Sequence, residues 1–339
     1  MGIDIFSIKP NVVTRDLSGK SFLIYGERKS GKTTNACKFP KPILLGFEKG
    51  YGFLDGIIAQ PINTWKEALE VKKQLLKDAD AAEKENRETI FKTVIVDTID
   101  IAYDLCEKYI VDKEGVDYLD ETEKMRGYRA LSREYDKFFQ EIVKAGYTLI
   151  CISHATTKQI KENGEKYDKT IPTVPDRGFL VVSRLVDVTG YASYETDEQG
   201  NVHSMLTMRG NKHLEAGSRS PYMSECIPFT YEALRDDMAK AIDKQKANGA
   251  TVVDNEVNLF KDNEVTEDEK KSVDELIAEI GSYVKAIHNT GSTEYKKIIA
   301  EYLGKGKSVK DCDESQLDML LLILDDLKDY CTENNITVE

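Results

Sequence analysis

Gly26-Glu27-Arg28-Lys29-Ser30-Gly31-Lys32-Thr33 decides the fold of this chain. The spacing Gly-x-x-x-x-Gly-Lys-Thr is that of a phosphate-binding loop. Its glycines permit backbone turns that point successive N–H groups inward. Those donors, together with the N-terminus of the following helix, cradle phosphate oxygens. Lys32 is placed to neutralise the β and γ oxygens of a nucleotide, and the Thr33 hydroxyl to hold Mg²⁺. The cradle runs from Gly26 through Glu27, Arg28, Lys29, Ser30, Gly31, Lys32 and Thr33 to Thr34. At average residue frequencies a chance match has a probability on the order of one per cent. The flanks lower it further: Ser21-Phe22-Leu23-Ile24-Tyr25 reads as a buried strand, and residues 33–38 should open a helix.

Outward from the loop, short apolar runs alternate with helical patterns. Strands are expected at 42–46, 93–96, 148–152 and 179–188, and helices at 64–83 and 128–145. In the second helix Leu131, Tyr135, Phe138, Phe139 and Ile142 share one face. Strands alternating with helices imply an α/β fold with a mostly parallel sheet covered on both sides. Asp97 ends the apolar run Thr93-Val94-Ile95-Val96, where a carboxylate can hold Mg²⁺ through water. Glu48 follows Ile43-Leu44-Leu45-Gly46-Phe47, on the strand-end side that lines the ligand crevice of such sheets. A carboxylate there can orient and deprotonate a water attacking the γ-phosphate. A surface-loop glutamate beside Lys49 is the plainer alternative. His154 ends Cys151-Ile152-Ser153, where it can touch the γ-phosphate or its water, or merely cap a turn.

The chain has 339 residues, 40% hydrophobic and 32% charged, with a formal net charge of −13. Its length suggests about two domains, and its composition allows a sizeable core. The acidic balance argues against strong, indiscriminate nucleic-acid binding, though not against a local basic groove. Six scattered cysteines form no Cys-x-x-Cys pair, which disfavours a disulfide framework or a zinc site. No apolar run approaches the ~20 residues of a membrane span, and residues 1–10 lack a secretory pattern. A cytoplasmic protein is expected. The boundaries read as a core over 1–242, a polar linker over 243–272 and an acidic helical domain over 273–339. Helices are expected there at 273–287, 293–303 and 314–330.

The order of loop, strand plus Glu48, strand plus Asp97 and strand plus Ser153-His154 resembles the RecA-like ATPase core. More closely, the chain resembles the phage-encoded AAA/RecA-like ATPases of the Sak recombinase group. Stretches 22–26 with the loop, 41–50, 93–98, 149–154, 184–191 and 208–219 carry the resemblance, which covers about residues 15–235. It implies a RecA-like P-loop core using ATP and Mg²⁺, with Glu48 as catalytic glutamate and Ser153-His154 as switch pair. The histidine departs from the Asn-Gln often found there. Residues 112–126 match the family's first DNA loop by position, and 156–177 the second. The second carries Lys158, Lys161, Lys166, Lys169 and Arg177, diluted by Glu162, Glu165 and Asp168. Flexible basic loops can track a phosphate backbone. RecA-like filaments also use a basic residue of the neighbouring subunit at the γ-phosphate. Arg219 is the first candidate, then Lys212, with Arg209 nearby.

The resemblance implies a DNA-stimulated ATPase on single-stranded DNA in phage recombination, annealing or replication. It also implies a ring or filament in the host cytoplasm. The acidic C-terminal helices carry no motif that specifies chemistry; they could recruit a partner, such as a recombination or single-strand-binding protein, or cap an assembly. Two other readings compete. An ATPase that remodels a protein partner suits the −13 charge. A small-molecule kinase ranks last, since no Arg-rich lid is evident.

Overall fold

The computed structural model describes residues 13–14, 17–122, 125–162, 164–249, 252–253, 273–304, 308–312, 316–334 and 336. They fall into two compact units, one within residues 11–262 and one within 263–339.

The larger unit is built on a ten-stranded sheet. Its parallel centre comprises β2 (Ser21–Gly26), β3 (Pro42–Gly46), β4 (Ala59–Pro61), β5 (Thr93–Asp97), β6 (Thr148–Glu162) and β8 (Val188–Thr196). The order across it is β8-β2-β6-β5-β3-β4. Antiparallel strands β9 (Val202–Thr207), β10 (Gly217–Ser218) and β11 (Cys226–Pro228) extend the β8 edge. The tenth strand, β7 (Glu165–Pro172), pairs antiparallel with the second half of β6 as a hairpin. Strands β1 (Val13–Thr14) and β12 (Val252–Val253) form a separate parallel pair. With the loop after β2 and β6 between β2 and β5, this is a RecA-like α/β P-loop core.

Alternate residues on each central strand serve opposite cores, as the two-residue period of a strand requires. Leu23, Leu45, Val94, Val96, Leu149 and Cys151 face α2 (Trp65–Lys84), α3 (Ile99–Glu114), α4 (Arg126–Lys144) and α5 (Asp176–Leu185). Phe22, Ile24, Leu44, Ile95, Ile150 and Ile152 face α1 (Lys32–Ala36) and α6 (Tyr231–Ala247). Thr64 caps α2 by accepting from the Glu67 amide. The five α4 residues read as one face are all buried. They share one hydrophobic cluster with Trp65, whose ring lies 4.9 Å from Phe138 and 6.0 Å from Tyr135. All six cysteines are free thiols.

Two sequence expectations need correction. Residues 179–188, read as a strand, are mostly α5, and the strand begins only at Val188. A short apolar run has no period that separates a buried strand from a buried helix. Gly178 lets this helix approach α3, since a Cβ there would lie 2.7 Å from the Tyr103 ring. The core edge expected at 242 falls inside α6, which continues to Ala247 before β12. The rest of the expected linker, 254–272, lies outside the described residues.

The smaller unit contains α7 (Val273–Asn289), α8 (Glu294–Leu303) and α9 (Leu317–Glu333). Leu276, Ile280, Ile287, Leu320, Ile323 and Leu327 form its own core.

Candidate functional site

Every strand of the parallel centre points its C-terminal end to the same edge, and the site is built along that edge. Gly26 ends β2 and is pressed against β8: a Cβ on it would lie 2.0 Å from the Ala192 carbonyl oxygen. The Glu27 amide donates to that same oxygen at 3.0 Å. Lys29 and Gly31 both take left-handed backbone, with φ of 62° and 85°. Ser30 is buried and its hydroxyl donates to the Glu27 carbonyl. Such alternation of backbone hand turns successive amides to one side, the geometry of an anion nest. The Lys32 ammonium donates across the loop to the carbonyls of Gly26 (3.1 Å) and Glu27 (2.6 Å). Burial lowers its pKa, opposed by the carboxylates of Asp97, Glu48, Asp100 and Glu27. Arg28, Lys29 and Thr34 are exposed.

Thr33 Oγ1 donates to Asp97 Oδ2 at 2.6 Å, joining loop to strand end across β6. Asp97 is only 3% exposed, and burial raises its pKa, against the Thr33 hydrogen bond that lowers it. Glu48 arrives from β3, its amide and that of Phe47 both donating to the Asp97 carbonyl. Its carboxylate meets the His154 ring, with Oε1 3.3 Å from Nε2.

Asp100, in the first turn of α3, was not singled out by sequence. Its Oδ1 accepts from the hydroxyls of Ser153 (3.0 Å) and Thr173. It thereby ties the strand before His154 to the residue after the hairpin. Only a second carboxylate three positions after Asp97 hinted at it.

Three buried side-chain atoms lack a hydrogen-bond partner among the described residues: Thr98 Oγ1, Asp100 Oδ2 and His154 Nδ1. Thr98 follows β5, Asp100 is in the first turn of α3, and His154 lies within β6 opposite Gly26. Buried polar atoms without partners are rare and point to a ligand or ordered water. A hydroxyl and a carboxylate at Thr33 and Asp97 are oxygen donors of the class Mg²⁺ takes. Beside a nucleotide, Mg²⁺ needs only one or two protein ligands. Accordingly, no cluster of three or more His, Cys, Asp or Glu side chains is needed, and none occurs among the described residues. The residues present therefore fit a magnesium nucleotide.

Other sequence candidates lie elsewhere. Residues 156–177 are not a flexible loop but mostly the β6–β7 hairpin, with Lys158 opposite Lys169 and Lys161 opposite Lys166. Its alternating polar residues satisfy a two-stranded ladder exposed on both faces, which hydrophobic patterning cannot reveal. Lys158 pairs with Asp176 at 2.7 Å, and Lys169 with Glu215 at 2.5 Å. The Arg177 guanidinium lies 4.4 Å from the Tyr128 ring centre. Lys161 and Lys166 are exposed near the hairpin tip. Residues 112–126 comprise the end of α3, a short 3-10 turn at Leu119–Glu121 and the start of α4, with 123–124 outside the described residues.

Arg219 is not at its own phosphate loop. It bonds Asp187 Oδ1 at 3.0 Å and the Arg184 carbonyl at 2.6 Å. Asp187 in turn pairs with Ser21, the first residue of β2. That is the far end of the strand, roughly 17 Å from Gly26 at strand rise. Lys212 sits against the hairpin, 4.5 Å from the Tyr167 ring centre and 3.3 Å from Glu165. Arg209 Nη2 reaches the Met223 carbonyl at 3.5 Å.

Strand order, loop and strand-end carboxylates together define a P-loop nucleotide-binding protein. A family model described as an AAA domain matches residues 18–220, and the chain belongs to that family of AAA-type P-loop ATPases. The chain is also similar to the SPbeta prophage-derived uncharacterized protein YorG of Bacillus subtilis (strain 168). Identity is 32% over 342 residues, covering 98% of this chain and 100% of that protein. Among solved structures, a KaiC-like protein from Pyrococcus horikoshii OT3 matches 59% of this chain and 83% of its own, at 11% identity and a TM-score of 0.31. No helix among the described residues is long and apolar enough to cross a membrane.

Proposed function

We propose that this protein hydrolyses ATP with Mg²⁺ and acts on single-stranded DNA in phage recombination, annealing or replication. The observation that carries the ATPase reading is the row of groups along one sheet edge. Thr33 bonds Asp97 at 2.6 Å, and Glu48, held by His154, arrives from the strand beyond. Lys32 carries positive charge toward the β- and γ-phosphates once it leaves the Gly26 and Glu27 carbonyls. Glu48 accepts the proton of the attacking water, and His154 fixes the direction of the Glu48 carboxylate. Asp97 and Thr33 hold Mg²⁺, which supplies charge neutralisation at the phosphate oxygens.

The DNA part rests on the hairpin that leaves the sheet directly after His154, with Lys161 and Lys166 facing each other near its tip. The likeness to a prophage-derived protein favours a phage role. The resemblance to the Sak recombinase group suggests recombination or annealing. The resemblance suggests a basic residue of a neighbouring subunit at the γ-phosphate, in a ring or filament, a reading compatible with Arg219 lying away from its own loop. Lys212, Arg209 and Arg219 are its candidates. The C-terminal helices serve a protein partner.

The second reading, an ATPase acting on a protein partner without DNA, is favoured by one observation. Lys158, Lys169 and Arg177 are already engaged within the chain. Phosphate release with and without single-stranded DNA, at low and moderate salt, separates the two. Stimulation that fades with salt supports DNA, because phosphate-backbone contacts weaken steeply with salt. Turnover indifferent to DNA at both salt levels supports the protein partner.

A further inference from the structure

Tyr25 immediately precedes the phosphate loop, yet its side chain serves a different part of the molecule. The residue is fully buried. Its hydroxyl donates to the Glu215 carbonyl at 2.7 Å and lies 3.2 Å from the Thr170 carbonyl. Thr170 belongs to β7 of the hairpin, and Glu215 to the segment carrying Arg209 and Lys212. These two segments are themselves laced together. The Thr170 amide donates to the His213 carbonyl at 2.8 Å, and the Glu215 amide to the Thr170 carbonyl at 3.0 Å. Ion pairs Lys169–Glu215 and Lys212–Glu165 join them again. The hairpin and the 210–216 segment therefore form one ledge, and the Tyr25 hydroxyl holds it to the strand that enters the loop. Burial raises the phenol pKa, so the group stays a donor.

We infer that Tyr25 is a positioning residue that couples nucleotide occupancy of the phosphate loop to the placement of the hairpin and the 210–216 segment. Backbone pairing holds the strand end on both sides, Gly26 lying opposite Ala192 on β8 and His154 on β6, and the Tyr25 hydroxyl adds the side-chain link to the ledge. A shift of the loop around phosphate is thus transmitted through Tyr25 into the ledge. The inference rests on the proposed nucleotide site, and it does not require that the ledge binds DNA.

The test is hydrogen–deuterium exchange on the full chain, with and without magnesium AMP-PNP, for the wild type and Tyr25→Phe. Phenylalanine keeps the ring and loses the hydroxyl. In the wild type, nucleotide should alter exchange both in the loop, 26–34, and in the ledge, 165–172 and 210–216. In Tyr25→Phe, loop protection and nucleotide affinity should persist within about threefold. The ledge response should shrink by about fivefold, the worth of one ordinary hydrogen bond. A ledge that responds equally in the variant overturns the coupling. So does a wild-type ledge that ignores nucleotide while the loop is protected, a result that needs no variant to fold. A wild-type loop that gains no protection contradicts the nucleotide site itself, and the coupling with it.

Discussion

Glu48 Oε1 lies 3.3 Å from His154 Nε2, a contact that reaches over β5 to join residues from β3 and β6. The strand it spans ends in Asp97. The carboxylate best placed to activate water is therefore held by an imidazole, above the carboxylate best placed to hold a metal. If the imidazole sets the direction of Glu48, His154→Ala should lower ATP turnover about ten- to a hundredfold while nucleotide binding stays intact, since small misplacements of a reacting group cost that much. His154→Gln, which keeps a donor, should retain more. Turnover and nucleotide titration side by side check this, and unchanged turnover in the alanine variant would remove His154 from the machinery.

Asp97 illustrates a site maintained against stability. Burial raises its pKa, so the folded state holds the proton more tightly than the unfolded state does. Above the unfolded carboxylate value near ~3.9 the charge therefore costs stability, and below it, where both states are protonated, the cost vanishes. Asp97→Asn should raise the melting temperature of the nucleotide-free protein at neutral pH by about 2–4 °C. The gain should disappear in acid, and magnesium-dependent nucleotide binding should be lost. A neutral-pH melting temperature lower than wild type would contradict this view.

The hairpin lysines should not behave alike. Lys158 and Lys169 hold carboxylates of the chain, whereas Lys161 and Lys166 face solvent near the tip. Replacing both tip lysines with alanine should weaken single-stranded DNA binding and reduce its salt dependence by about two phosphate contacts' worth. The Lys158→Ala change should do less. Fluorescence anisotropy over a salt series measures this; equal slopes for wild type and double variant would place DNA elsewhere.

Gly26 has no room for a side chain. Its φ is +149°, and a Cβ would lie 2.0 Å from a backbone oxygen that cannot move without β8. Gly26→Ala should cost about 2–3 kcal/mol or more in urea unfolding, and nucleotide binding should fall with it. An unchanged midpoint with intact binding would mean that the loop does not pack on β8 as described.

Much of this was legible before the structure because local chemistry dictated it. The loop needs glycines at fixed offsets, and α4 shows five buried residues on one face. The Thr64 cap was not foreseen, but the helix expected from that residue begins one position later. What failed had physical reasons. The run after Gly178 is short and apolar, so either secondary structure could bury it. The β6–β7 hairpin is solvated on both faces and carries no hydrophobic alternation. Asp100, Ser153 and Thr173 come together only because α3, β6 and the end of β7 converge, a meeting set by topology. Tyr25 looked like one more core residue, and only its hydroxyl partners distinguish it.

The most direct test of the central claim compares Glu48→Gln with wild type for magnesium-dependent phosphate release from ATP. Glutamine preserves the size of the side chain and removes the base. The expected result is wild-type nucleotide affinity with turnover reduced by roughly a hundredfold or more. Full turnover in Glu48→Gln, with ATP bound normally, would contradict the site as assembled here.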